Sequence, residues 1–290
     1  MYNHTSYAAV CMICYAVVSI LNDSLAKYLV VSSISSSQLV FLRFAIGALI
    51  LLAPLLSSRS TRSPKDVLRT PFLHLHAIRG LILVMGMNLY TQSLQKLPLS
   101  INVIGCFVIP ILVVVLAYLF LNESIKDNLI NTLLCFVGVL VCWSSFLNCQ
   151  QINMILPLIG SIILFASVDI LNKKILNCQE PTLLIMFYTA FFAALFSAIS
   201  AFSNWQHLTA FDWAGVIVLG IGSNLVFFLL LQSCKYAPLS YVQPFKYIEL
   251  PLSFAAGYLL FGEHLSMRII TGSVIIVLSA LMALKKGAED

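Results

Sequence analysis

Ten apolar runs, most of them close to 20 residues long and parted by short polar or turn segments, dominate this 290-residue chain. They fall at about 6–30, 37–56, 73–95, 98–121, 128–147, 153–175, 182–203, 211–233, 238–261 and 266–284. A helix rises about 1.5 Å per residue, so some 20 apolar residues match a hydrocarbon core about 30 Å thick. Inside that core the backbone must satisfy its own hydrogen bonds, which makes each run a helix rather than an open strand. The predicted fold class is an all-α integral membrane protein of ten transmembrane helices. Composition agrees, with 60% hydrophobic and 9% charged residues where a soluble domain carries about 25% charged. Ten spans leave no room for a soluble catalytic or regulatory domain.

The net charge of +5 is scattered over loops and helix ends and forms no basic face, which excludes nucleic acid as a partner. It reads instead as topology. With the N-terminus in the cytoplasm, the inner loops hold Arg59, Arg62, Lys65, Arg69, Lys126, Lys173, Lys174 and Lys235, and the tail adds Lys285 and Lys286. The outer side holds only Lys96 and Arg268, with Lys27 near a helix end. Both termini are therefore expected in the cytoplasm. The opening MYNHTSYAAV lacks a basic start and reads as part of a first helix, not a cleaved signal.

The chain repeats itself. QSLQKLPLS at 92–100 returns as QSCKYAPLS at 232–240, and at the same offset of 140 Tyr118, Leu119 and Glu123 recur as Tyr258, Leu259 and Glu263. Asp23, Leu25 and Lys27 recur as Asp169, Leu171 and Lys173 at an offset of 146. A shorter loop in the second half accounts for the difference. The expected units are 1–148 and 152–290, each with five helices. An odd number of spans forces the second unit to enter from the opposite side, giving two inverted five-helix repeats. That architecture belongs to carriers that bind substrate near the midplane between the repeats.

Nothing in the sequence asks for a cofactor. It has no nucleotide-binding G-x-x-x-x-G-K-[ST], so transport is facilitated, exchange or ion-coupled. The eight cysteines lie mostly in apolar runs, and the single C-x-x-C, Cys11 and Cys14, has no second ligand pair nearby. No metal site and no catalytic group is expected. Acids spread over several helices in two matching sets also argue against an intramembrane transferase.

An ionised side chain at a helix centre costs about 2.5 to 3.5 kcal/mol, so each one needs a partner or a task. Asp23 with Lys27, and Asp169 with Lys173, stand four residues apart. That is a favourable intrahelical pair, which either neutralises itself or serves a substrate. Tyr15, Ser19, Asn22 and Asp23 form a polar stripe along one face of the first run. In the ninth run Lys246 and Glu249 lie close to mid-span between Pro244 and Pro251, with Gln243 and Tyr247 beside them. Prolines there free backbone groups that membranes tolerate beside a cavity. Arg43 either snorkels or lines that cavity, and Arg79 is expected to snorkel. Asn88 and Asn224 glue helices or line a pocket. Tyr90, Tyr188, Tyr241 and Tyr247 pack between helices or face a planar ring or a cation. His74 and His76 read as interfacial. The candidate substrate-binding set is Asn22, Asp23, Arg43, Asn88, Tyr90, Asp169, Tyr188, Asn224, Gln243, Lys246, Tyr247 and Glu249.

Ten spans in a five-plus-five repeat, with AYLFLNES and GYLLFGEH closing the fourth and ninth runs, resemble the drug/metabolite transporter superfamily in its EamA-type branch. NDSLAKYL (22–29), LRF (42–44), HAIRG (76–80), FLNES (120–124), DILNKK (169–174), MFY (186–188) and PFKYIEL (244–250) are further similar to the S-adenosylmethionine uptake transporters of obligate intracellular bacteria. What the resemblance implies is a carrier of the bacterial inner membrane that takes up that compound, with S-adenosylhomocysteine as a possible exchange partner. The residues suit a cationic or zwitterionic metabolite: Glu249 and Asp23 for its amine and sulfonium, Lys246 or Arg43 for its carboxylate, and Tyr247 or Tyr188 for adenine. The same groups would serve a carrier of amino acids or related metabolites.

Overall fold

The computed structural model describes residues 2–32, 34–57, 68–109, 112–113, 116, 129–144, 152–178, 180–203, 205–236, 243–264 and 266–287. All regular structure among them is helical. The helices are α1 (Tyr2–Ser32), α2 (Ser36–Ser57), α3 (Leu73–Lys96), α4 (Leu99–Cys106), α5 (Leu129–Trp143), α6 (Ile152–Asn177), α7 (Thr182–Ser203), α8 (Ala210–Tyr236), α9 (Glu249–Phe261) and α10 (Met267–Gly287), with a 3₁₀ segment, Gln243–Ile248, before α9. Five of them, α1, α2, α6, α7 and α8, are long and apolar enough to cross a bilayer, and α9 and α10 carry shorter apolar stretches. Large apolar side chains face outward, among them Ile199, Leu259 and Leu49. In a membrane protein that surface meets lipid.

The main packing partners are α1 with α8, α3 with α6, α2 with α7 and α5 with α10, followed by α3 with α7 and α2 with α8. Exchanging the halves, so that each helix takes the place of the one five later or earlier, maps this set onto itself. The pair α1–α8 becomes α6–α3, α3–α7 becomes α8–α2, and α2–α7 and α5–α10 are unchanged. The fold is thus two five-helix repeats that interlock, and the odd number of spans makes them inverted. The largest apolar core draws on both halves, with Leu29 of α1, Leu94 of α3, Ile104 of α4, Leu158 of α6, Val216 of α8 and Ile276 of α10.

The ninth run, whose prolines were expected to loosen it, is not one continuous α-helix. Gln243–Ile248 is a 3₁₀ helix, and α-helix begins only at Glu249. Pro251 explains the boundary: it has no N–H for the carbonyl of residue 247, and it is tolerated in the first turn of α9, where such donors lack intrahelical acceptors. A 3₁₀ stretch within a span often marks a functional hinge. The far end of α9 closes on Gly262, whose φ of +64° suits glycine. Its N–H donates to Tyr258 O and that of Glu263 to Gly257 O, a left-handed cap that turns Glu263 back towards the helices.

Helices α5 and α10 cross at glycine. A methyl group added to Gly272 would lie 2.4 Å from Cys142 Sγ and 2.5 Å from Gly138 O. Such close backbone approach gains the dispersion contacts that hold helices together in lipid. Gly272→Leu is expected to force the pair apart and cost about 1–3 kcal/mol, seen as a lower unfolding midpoint in detergent. Val274→Leu, at a lipid-facing position of the same helix, should leave the midpoint unchanged.

Candidate functional site

Polar side chains from both halves converge where α1 meets the 3₁₀ segment and α9. Helix α1 brings Tyr15, Ser19, Asn22 and Asp23, spaced to share one face. Helices α2, α3, α4 and α6 bring Arg43, Tyr90, Cys106 and Asp169, and the broken ninth span brings Lys246 and Glu249. Glu249 opens α9, where the positive end of the helix dipole favours a carboxylate. The 3₁₀ turn places Lys246 against the Tyr15 ring, with Nζ 5.3 Å from its centroid. Lys246 also feels the charges of Glu249 and Asp169, and Asp23 those of Arg43 and Lys246. Cys106 lies beside Tyr90 and feels the charges of Asp23, Lys246 and Glu249.

Among the described residues none of these five charged groups is in a direct ion pair; the ion pairs there are Lys27–Glu263 and His76–Glu180. Asp23 Oδ2 accepts a 2.8 Å hydrogen bond from Tyr90 Oη. With its amide oriented to suit its neighbours, Asn22 accepts from Arg43 Nη2 at 3.1 Å and Ser223 Oγ at 3.2 Å, and donates to Leu219 O at 3.3 Å. Arg43 Nη1 lies 3.9 Å from Met87 Sδ, and its Nε has no partner. Glu249 sits beside Ser19 and is 5% exposed, yet its Oε1 has no partner. Asp23, Arg43, Asp169 and Lys246 are half-buried among the helices. Among the described residues three carboxylates stand with two cations in this cluster, an excess of one negative charge when all are ionised.

The structure thus gathers Asn22, Asp23, Arg43, Tyr90, Asp169, Lys246 and Glu249 around one centre, and sends other candidates elsewhere. Tyr188 donates to Leu68 O and stacks on His76 at 5.1 Å. Asn224 Nδ2 donates to Gly47 O at 3.0 Å, tying α8 to α2. Asn88 lines an outer groove of about 1,030 Å³ with Gln92, Gln95 and Gln206. The side chains of Gln243 and Tyr247, all of Tyr241, and the side chain of Lys173 with its pairing to Asp169 lie outside the described residues.

Three expectations are corrected. Arg79 does not snorkel and His76 is not interfacial, for both are fully buried. Arg79 donates to Asn172 Oδ1 at 3.0 Å, to Ile185 O at 2.9 Å and to Thr189 Oγ1, and His76 Nε2 lies 2.8 Å from Glu180 Oε2. Partners on α6, on α7 and at Glu180 make burial tolerable where water would otherwise be needed. Lys27 does not pair with Asp23 one turn back either. Its ammonium meets Glu263 and Leu97 O, and the Glu263 carboxylate accepts the Leu99 N–H at 2.8 and 3.0 Å. A carboxylate held by a lysine and a helix N-terminus outcompetes an intrahelical neighbour. Glu263, Glu180, Asn172 and Cys106 were absent from the candidate set. Only Glu263 had a signal, its recurrence at the repeat offset.

Two interlocked repeats of membrane helices with a charged cluster between them have the build of a transporter. The comparisons place it further: the sequence matches the EamA-like transporter family over residues 5–144 and 152–285. The chain belongs to that family. It is 31% identical to an S-adenosylmethionine uptake transporter of Rickettsia bellii, over 90% of this chain and 87% of that one. The corresponding protein of Rickettsia prowazekii is 32% identical over 91% and 88%. A riboflavin transporter of Vibrio cholerae is 25% identical over 96% and 92%. A crystal structure of 18% identity covers 100% of this chain and 99% of its own with a TM-score of 0.67, a likeness of fold. Family and relatives are transporters, not enzymes.

The Lys27–Glu263 pair joins the first half to the second. Lys27→Met leaves a largely buried carboxylate without its cation and is expected to cost about 3 kcal/mol. Adding Glu263→Gln should recover part of that loss, because no unpaired charge then remains. Unfolding midpoints of the two single variants and the double variant read this directly, and strict additivity would show that the pair does not interact.

Proposed function

We propose that this transporter imports S-adenosylmethionine across the bacterial inner membrane by alternating access, in exchange for S-adenosylhomocysteine. The observation that carries the reading is a cluster in which, among the described residues, three carboxyl groups stand with two cations and no ion pair joins them, with Glu249 Oε1 unpartnered. S-adenosylmethionine carries a sulfonium and an ammonium against one carboxylate, a net positive charge that balances the excess. Glu249 and Asp23 meet the cationic end. Tyr15 and Tyr90, with Phe165 5.9 Å from the Tyr90 ring, supply aromatic surface for adenine in place of Tyr188. Two relatives about 31–32% identical over about 90% of the chain are named for this substrate. Riboflavin, named for more distant relatives, has no cation to answer the carboxylates.

Uptake of radiolabelled S-adenosylmethionine into proteoliposomes tests the proposal. S-adenosylhomocysteine should compete and, loaded inside, accelerate entry. Riboflavin, methionine and other amino acids should not compete. Exchange of a cation for a zwitterion moves charge, so an inside-negative potential should speed it. Glu249→Gln keeps shape and removes charge, and should weaken affinity about ten- to hundredfold, the value of one or two charge-assisted hydrogen bonds. Uptake of riboflavin or an amino acid in place of S-adenosylmethionine, or normal affinity in Glu249→Gln, would refute it.

We further propose that both termini face the cytoplasm, from the distribution of Lys and Arg. In a variant lacking native cysteines, Gln150→Cys should react with an impermeant maleimide on intact cells and Ser60→Cys should not. The reverse pattern would invert the orientation.

A further inference from the structure

We infer that Arg43, not Lys246, receives the carboxylate of the substrate and so selects against ligands that lack one. This rests on the S-adenosylmethionine reading. Two cations reach the cavity, and their surroundings differ. Lys246 is set among Glu249, Asp169 and the Tyr15 ring. A ligand carboxylate approaching it meets two fixed carboxylates of its own sign, and like charges at close range repel strongly in a poorly solvated site.

Arg43 feels the charge of a single acid, Asp23. Its contacts are neutral ones, the Asn22 amide oxygen and the Met87 sulfur. The nearest acid, Asp23, is engaged by the Tyr90 hydroxyl and is not within ion-pair distance. A guanidinium has five N–H donors in a planar fork, and Nε, on the edge that pairs with a carboxylate through two parallel bonds, is buried without a partner. Leaving such a donor empty is costly, and a bidentate carboxylate is the group whose geometry fills it. The Asn22 amide, itself held by Ser223 and Leu219 O, takes one hydrogen of Nη2, and Nη2 carries a second for a carboxylate that bridges Nε and Nη2. Together with Glu249 this gives the cavity separate places for the two ends of a zwitterion.

The test pairs ligands that differ only in the carboxylate. S-adenosylmethionine and its decarboxylated form would be measured for inhibition of uptake in the wild type, Arg43→Gln, Arg43→Lys and Lys246→Met. Arg43→Gln should weaken S-adenosylmethionine about ten- to hundredfold, the loss of a charge-assisted bidentate contact, and the decarboxylated compound by less than about threefold. Arg43→Lys, which keeps the charge and loses the fork, should narrow the preference and remain folded if glutamine does not. Lys246→Met should change both ligands alike. Equal losses for both ligands in the arginine variants, or a ligand-selective loss in Lys246→Met, would overturn the assignment while leaving the substrate intact. Wild-type protein that transports no S-adenosylmethionine would overturn both.

Discussion

A charge held in hydrocarbon must be answered, and the description of this transporter follows from how each of its charges is answered. Lys27 and Glu263 neutralise each other across the two halves, with the Leu99 N–H and Leu97 O completing the set. Arg79 is fully buried and its two terminal nitrogens are held by an amide, a hydroxyl and a carbonyl on α6 and α7, although its Nε, like that of Arg43, has no partner among the described residues. These groups fasten helices together. At the centre the solution is different: Asp23, Arg43, Asp169, Lys246 and Glu249 stand near one another with no ion pair among the described residues, and Glu249 Oε1 and Arg43 Nε have no partner there. Charged groups left unpaired within a membrane protein are what a substrate site is expected to hold.

The backbone at that centre is irregular for the same reason. Two prolines, Pro244 and Pro251, divide the ninth span into a 3₁₀ turn and an α-helix, and the new helix begins at the carboxylate it stabilises. The fold around the break is regular and symmetric, since the packing of α1 on α8 is matched by that of α6 on α3. Two repeats that share their largest core and meet at a charged cluster have the build of carriers whose halves rock about a bound substrate.

Much of this was legible in the chain. Helix ends at Leu73, Thr182 and Ser203 agree with the apolar runs, because water-to-lipid transfer sets them locally. Glu249 and Asp23 stood out because an acid within a span has no local explanation. What was not legible depended on long-range choices between partners. Asp23 and Lys27 are one turn apart in sequence, yet each prefers a partner far along the chain, Tyr90 and Glu263. Arg79 near a helix end gave no sign that α6 and α7 would close over it. Tyr188 and Asn224 look like pocket residues by composition, and only packing shows them tied to Leu68 O and Gly47 O. Family membership, shown over both repeats, agrees with the resemblance seen in the strings from NDSLAKYL to PFKYIEL.

The central claim is that the unpaired cluster between the repeats is where substrate sits, cationic end towards Glu249. A structure of the purified transporter with S-adenosylmethionine bound tests it most directly. The account predicts ligand density between α1 and the broken ninth span, with the sulfonium and ammonium on the side of Glu249 and Asp23. Density confined to the outer groove beside Asn88 and Gln92, with the central cluster unchanged, would contradict it.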